Sequence, residues 1–204
     1  MRIYYNKPEH RLDQVMRTSA DEVKGKESGF ISMFDPTVYD NLKVGFENYL
    51  YDMDNLDERI QITGRKDRLE MAVMSRKFTI KFCLRDRPEV TGEVVLSSSL
   101  EELAAEILET PGANPGCRLE LRFSTVVKDP EKQCPVIRPI LQKSWPEQRM
   151  CQNIRYIFDE QPIMYNVTAH VYFDRSVNED QMGDIAELCE HMANVMNQLL
   201  QLHN

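Results

Sequence analysis

Apolar residues recur at helical spacing in several stretches of the chain. One helix is predicted from Asp35-Pro36, because aspartate caps the first turn and proline at the first helical position loses no hydrogen bond. Ser99 and Ser144 each begin a capping-box pattern, so helices are predicted after both residues. The longest helix is predicted from Ser176 onwards. Its apolar residues follow a/d spacing, at Met182, Ile185, Cys189, Met192, Met196 and Leu199.

Between Arg59 and Leu96 the apolar period changes to two, which is typical of half-buried strands. The clearest strand places Phe78, Ile80, Phe82 and Leu84 on one face and Lys77, Thr79, Lys81, Cys83 and Arg85 on the other. Residues 64–67 read as a turn, and Leu69, Met71 and Val73 as one face of a strand after it. Further strands are predicted near 90–96, 117–127 and 163–174. Residues 128–143 contain three prolines and are predicted to be an irregular loop.

This order of elements predicts an α+β fold. The sheet is expected to be mainly antiparallel, with about five to six strands, helices packed on one face and a long C-terminal helix. Residues 35–204 are assigned to a single domain. Residues 1–34 are assigned to an N-terminal arm, which is either packed on the domain or flexible.

The composition limits the expected cellular location of the protein and the classes of partner that it can bind. The formal net charge is −8, which opposes sequence-independent binding to nucleic acid or to anionic lipid. No run of about 18 apolar residues is present, so no membrane span is expected. Five cysteines are scattered singly, and no secretion signal is expected, because the first eight residues lack a continuous apolar stretch. These features predict a cytoplasmic protein with reduced thiols.

The most distinctive feature of the chain is a basic window at residues 59–87. It carries nine basic and three acidic side chains, so the remaining 175 residues carry a net charge of −14. The candidate binding residues within it are Arg65, Lys66, Arg68, Lys77, Lys81 and Arg85. The acidic run at 52–58 is a ready internal partner for them. A strand period of two separates Lys77 and Lys81 from the rings of Phe78 and Phe82, which makes a single-stranded nucleic acid an unfavourable partner.

A second candidate surface is the apolar face of the terminal helix. Its residues Met182, Ile185, Met192, Met196 and Leu199 form either a core contact with the sheet or an interaction surface for a partner or a second copy of the chain. No catalytic residue, metal or cofactor is predicted. Glu187 and His191 form only half of a metal site, and His170 and Asp174 are more typical of a structural pair. Cys134, in the proline-rich segment, is the thiol expected to be most exposed.

Three functions remain open from the sequence. The leading interpretation is a non-catalytic cytoplasmic protein-binding domain, of a regulatory, chaperone-like or immunity type. The second is a small-anion-binding domain, or an enzyme, that uses the basic strands at 59–87. The third is a subunit of a larger assembly, including a viral one.

Overall fold

A six-stranded antiparallel sheet organises the protein, as seen in a computed structural model that describes residues 37–203. The strands are β1 Ile60–Glu70, β2 Ser75–Leu84, β3 Arg87–Ser98, β4 Arg118–Val127, β5 Arg149–Arg155 and β6 Tyr165–Tyr172, and the helices are α1 Val38–Asn55, α2 Leu100–Ile107, α3 Pro130–Ser144 and α4 Ile185–Leu200. The spatial order is β1-β2-β3-β4-β6-β5. The predicted α+β class, antiparallel sheet and long C-terminal helix are confirmed. The predicted N-terminal arm, residues 1–34, lies outside the described residues.

Helix α1 forms as its apolar stripe predicts. Thr37 caps it, because its hydroxyl accepts a hydrogen bond from the amide of Asp40. The apolar residues Tyr39, Leu42, Phe46, Leu50 and Met53 are all buried. They face β1 and α4, so this helix covers one end of the sheet.

Strand β2 also follows its pattern, with Phe78, Ile80 and Phe82 fully buried. The predicted turn at residues 64–67 is wrong, because these residues lie inside β1, after an irregularity between Ile62 and Gly64. The chain reverses instead at residues 71–74, which were assigned to a strand. Glycine and charged residues indicate a turn only where no neighbouring strand offers hydrogen-bond partners to the backbone. Here β2 provides these partners, so the chain continues as a strand.

Helix α3 replaces the predicted irregular loop at 128–143. Asp129 caps it and Pro130 occupies its first turn, where the missing amide costs nothing. Pro135 and Pro139 lie inside the helix on its exposed side, where the carbonyls they leave unpaired can meet water. Ile137 and Leu141 are buried on the other side. Burial of these two residues therefore outweighs the low helix propensity of proline.

The helix predicted after Ser144 is also wrong, because α3 ends there and an edge strand follows. Met150 is buried within β5, and the strand pairs with β6 along its whole length. Ile157 and Phe158, which the helical pattern placed inside, are exposed in the loop that follows. A short apolar run cannot distinguish a strand from a helix until its partner is known.

Helix α2 begins as predicted, after Ser99, whereas α4 begins at Ile185, later than the predicted start at Ser176. The hydroxyl of Ser99 caps α2, yet Leu100 and Ile107 are about half exposed. Helix α4 is shorter than predicted, since a 3₁₀ segment, Glu179–Asp184, precedes it. It packs against β2 and β3, and eight of its residues are buried. None of the helices in residues 37–203 is long and apolar enough to cross a bilayer.

The sheet therefore has two unlike faces. Helices α1, α3 and α4 pack on one face, over an apolar core. The alternate residues of every strand point away from these helices and are mostly charged or hydroxyl-bearing. We call this second surface the open face.

Candidate functional site

The strand register divides the six predicted basic residues between the two faces of the sheet. Residues directly opposite each other share a face: Lys66 lies opposite Thr79, Arg68 opposite Lys77 and Lys81 opposite Glu93. These four basic residues are on the open face. Arg65 lies opposite the buried Ile80 and so belongs to the helix side, and Arg85 follows the end of β2. The predicted site is therefore not one continuous surface.

Carboxylates of α1 and α4 hold the arginines on the helix side. Arg59 pairs with Glu190, Arg65 with Glu47, Arg76 with Asp40 and Arg85 with Asp54. Among these four carboxylates the pKa of Asp40 is lowered most, to about 2, mainly because of the hydrogen bond from Arg76. Of the acidic run at 52–58, only Asp54 pairs with the window. These contacts fasten the β1–β2 hairpin to the helices, so these arginines have a structural role.

The four basic-window side chains on the open face have no such partner among the described residues. Within residues 37–203, Lys66, Arg68, Lys77 and Lys81 make no ion pair. The other strands add four more basic residues to the same face, namely Arg118, Arg122, Arg149 and Arg155. Against these eight stand three acidic residues, Glu70, Glu93 and Glu120. Arg87 and Glu89, at the start of β3, pair with each other and cancel, so the described residues leave +5 on one face of a chain of net charge −8.

A hydrogen-bonded network occupies the centre of the open face. Arg122 donates from Nε and Nη2 to Glu120 at 2.8 Å each, and from Nη1 to Glu93 at 3.2 Å. Burial raises the pKa of Glu120, but the hydrogen bonds from Arg122 and His170 outweigh it and lower the pKa. Glu120 is therefore ionised at neutral pH, and His170 donates its Nδ1–H to it over 2.6 Å. The Nε2 of His170 then accepts from Asn153 at 3.1 Å.

Beside this network lies a small polar pocket of about 190 Å³. The hydroxyls of Ser124 and Thr168, 3.0 Å apart, contribute to its lining, together with Arg122 and Arg155. Arg155 is exposed and makes no ion pair with any residue in the described range. A cluster of guanidinium and hydroxyl donors can bind an oxyanion, so the pocket extends the anion-binding character of the face.

One aromatic ring, that of Tyr172, lies on the open face as far as the described strands show. The guanidinium carbon of Arg149 lies 4.0 Å from its centroid, and the ring of His170 stacks beside it at 5.8 Å. The ring is thus already engaged by two side chains. The rings of Phe78 and Phe82 are buried on the opposite face, as predicted.

The apolar face of the terminal helix is used within the protein itself. Ile185, Met192, Met196 and Leu199 are buried, and Met182 is half-buried against the core. An interaction surface or a dimer contact made by these five residues therefore finds no support, because such a contact would require the helix to leave the sheet.

The remaining candidates for chemistry do not assemble into a site. Glu187 and His191 lie 3.9 Å apart, and no group of three metal-binding side chains occurs among residues 37–203. The partner of His170 is Glu120 rather than Asp174, which lies beyond the end of β6. Cys134 is half-buried on α3, and burial raises the pKa of its thiol, which makes it less reactive.

Sequence reasoning missed the arginines of β4 and β5. Arg118, Arg149 and Arg155 are isolated in the sequence, and β5 was assigned to a helix. Only the strand order brings them onto one face with Lys77 and Lys81. The period of two in β4 was a usable signal for Arg118 and Arg122, but it could not show on which face helices α1, α3 and α4 pack.

The fold and the site define an α+β protein with one helix-covered face and one basic open face. The chain matches no protein-family model, and searches of curated proteins and of solved structures give no match either. Inference about function therefore rests on the geometry of the open face.

Proposed function

We propose that the chain is a non-catalytic, cytoplasmic protein-binding domain that docks an acidic segment of another protein on its open face. The observation that carries the proposal is the cluster of Lys66, Arg68, Lys77 and Lys81, which project from two adjacent strands without an ion pair in the described residues. Unpaired cations clustered on an acidic protein form a docking area with electrostatic complementarity to carboxylates.

The spacing of the cluster suits an extended peptide. Lys77 and Lys81 are four residues apart on β2, or about 13 Å, and the neighbouring strand lies about 4.8 Å away. Side chains on one side of an extended segment recur about every 6.6 Å, so alternate carboxylates match this spacing. Arg68 and Lys77 are also directly opposite each other, and like charges in that position repel. A bound carboxylate relieves this repulsion.

Protein is favoured over nucleic acid as the partner class. Binders of single-stranded nucleic acid place several free rings among their basic groups, whereas Tyr172 on this face is already engaged by Arg149 and His170. The net charge of −8 also opposes a long phosphate chain. A cytoplasmic location is supported by five cysteines that are all free thiols.

The test measures binding of a short labelled peptide of alternating glutamate and serine by fluorescence anisotropy at low salt. The variant carries Lys66→Gln, Lys77→Gln and Lys81→Gln. Exposed ion pairs contribute about 0.2–1 kcal/mol each, so the three changes should weaken binding between about threefold and a hundredfold. The matched control, Lys128→Gln with Arg138→Gln and Lys143→Gln, removes the same charge from the exposed surface of α3 and the residues just before it. It should leave the affinity nearly unchanged.

Two results would overturn the proposal. Equal weakening by both triple variants would show that only net charge matters. Tighter binding of a uridine oligonucleotide of the same charge, lost in the Lys66, Lys77 and Lys81 variant, would make the partner a nucleic acid.

A further inference from the structure

The turn between β1 and β2 exposes an unusual amount of apolar surface. Leu69 is 51% exposed, Met71 68%, Val73 59% and Met74 38%. Single exposed apolar residues are ordinary, but these are four within six consecutive positions, and Met71, Val73 and Met74 lie together in the turn. We call residues 69–74 the hairpin tip.

The sequence of the hairpin tip is poorly suited to making a turn. Hairpin turns favour glycine, asparagine, aspartate, serine and proline, and Met71-Ala72-Val73-Met74 contains none of these. Met74 has φ of 51°, a left-handed conformation that is costly for a residue with a side chain. Exposure and backbone strain both act against folding, and departures of this kind are typical of functional positions.

The hairpin tip is continuous with the basic cluster. Arg68 and Lys77 lie opposite each other on the open face. Arg68 is three residues before Met71, the first residue of the turn, and Lys77 is three residues after Met74, the last. Three residues of strand span about 10 Å. The methionines are flexible and adaptable, and methionine is enriched in protein interfaces from which lysine and glutamate are depleted.

We propose that the docking surface is bipartite: the partner segment places acidic residues on the basic cluster and, about three residues further on, one or two large apolar side chains on the hairpin tip. This proposal rests on the proposed function and specifies the chemistry of the partner. The acidic part supplies attraction and orientation, and the apolar part supplies most of the residence time, because apolar contacts are not screened by salt.

The experiment compares two peptides with the same glutamates. One continues, three residues beyond the last glutamate, with Leu-Phe, and the other continues with Ser-Ser. The bipartite peptide should bind about tenfold to a hundredfold more tightly, as expected when one or two large apolar side chains become buried. Its advantage should also persist when salt is raised.

Variants then locate the contact. Met71→Ser with Val73→Ser should reduce the affinity for the bipartite peptide to that of the Ser-Ser peptide, and should leave the Ser-Ser peptide unaffected. The matched control is Leu56→Ser with Leu108→Ser, which changes two apolar residues that are 74% and 73% exposed elsewhere. It should change neither affinity. Thermal unfolding of both variants should match the parent, because all four side chains are exposed.

The possible failures separate the two proposals. If the Ser-Ser peptide binds through Lys66, Lys77 and Lys81 but Leu-Phe adds nothing, the bipartite surface is wrong and the proposed function stands. If neither peptide binds, both proposals fail. If the protein instead binds vesicles of anionic phospholipid, and this binding needs Met71 and Val73 while the Leu-Phe advantage is absent, the tip contacts lipid and the bipartite proposal is overturned.

Discussion

Replacing Asp40 with asparagine should loosen the β1–β2 hairpin from α1. Asp40 accepts hydrogen bonds from Arg76 at 2.7 and 3.0 Å and from the hydroxyl of Thr37 at 2.8 Å. The guanidinium of Arg76 also lies 4.1 Å from the ring centroid of Tyr39. Asparagine keeps the shape of the side chain but removes the charge and replaces one acceptor oxygen with an amide NH2, so the change removes the ion pair together with at least one of these hydrogen bonds.

The expected loss follows from the pKa of Asp40. The hydrogen bond from Arg76 lowers it from 3.8 to about 2, and one pKa unit corresponds to about 1.4 kcal/mol. The difference sets an upper bound of about 2.4 kcal/mol. Because the side chain is 31% exposed, solvent screening reduces the expected loss to about 1–2 kcal/mol.

The sign of the pH dependence follows from linkage. The pKa of Asp40 is lower in the folded than in the unfolded state, so its stabilisation is fully present above the unfolded value of 3.8. It is lost as the pH falls through the folded value of about 2. The gap between the parent protein and the Asp40→Asn variant should therefore be largest at neutral pH and narrow in acid.

The assay is urea unfolding followed by circular dichroism, at neutral pH and at several acidic values. The control is Asp52→Asn, a change at an exposed position of the same helix, which should alter the free energy of unfolding by less than about 0.5 kcal/mol. A stability gap for Asp40→Asn that is absent at neutral pH, or is as large in acid, would refute the reasoning.

Two further predictions concern the packing of the fold. A Cβ added at Gly116 would lie 2.8 Å from the carbonyl oxygen of Val177, so Gly116→Ala should lower the free energy of unfolding by about 1–3 kcal/mol. A Cβ added at Gly183 would meet nothing within 4 Å, so Gly183→Ala should be nearly neutral in the same urea titration. Met196→Ala should cost about 2–5 kcal/mol because the side chain is fully buried, and the exposed Asn197→Ala should cost less than about 0.5 kcal/mol. If Met196→Ala lowered the free energy of unfolding as little as Asn197→Ala, this result would contradict the packing of α4 on the sheet.

The sequence pattern correctly predicted those elements whose buried residues recur at a regular spacing over several helical turns or along a whole strand. Helix α1 and strand β2 each carry an unbroken apolar stripe, so their local pattern and their final packing agree. Strand β5 and helix α3 fail this condition. The apolar residues of β5 fit either period over a few residues, and the prolines of α3 conceal the stripe formed by Ile137 and Leu141. In both cases a contact distant in sequence decides the outcome.

The candidate site was predictable only where its residues are neighbours in the chain. Lys66, Arg68, Lys77 and Lys81 lie on two consecutive strands, so a count of charges finds them. Arg149 and Arg155 join the same face because β6 lies between β4 and β5 in the sheet. That crossover brings together strands that are distant in sequence, and no local spacing encodes it.

The identities of the basic residues agree with the division into two faces. The basic-window residues held by carboxylates on the helix side, Arg59, Arg65, Arg76 and Arg85, are all arginine. Three of the four unpaired ones on the open face are lysine. The planar guanidinium of arginine is suited to fixed pairs with carboxylates, whereas the lysine ammonium is mobile and strongly hydrated. Arg76 and Lys77 are consecutive residues that point to opposite faces of β2, so charge at the first should control stability and charge at the second should control binding.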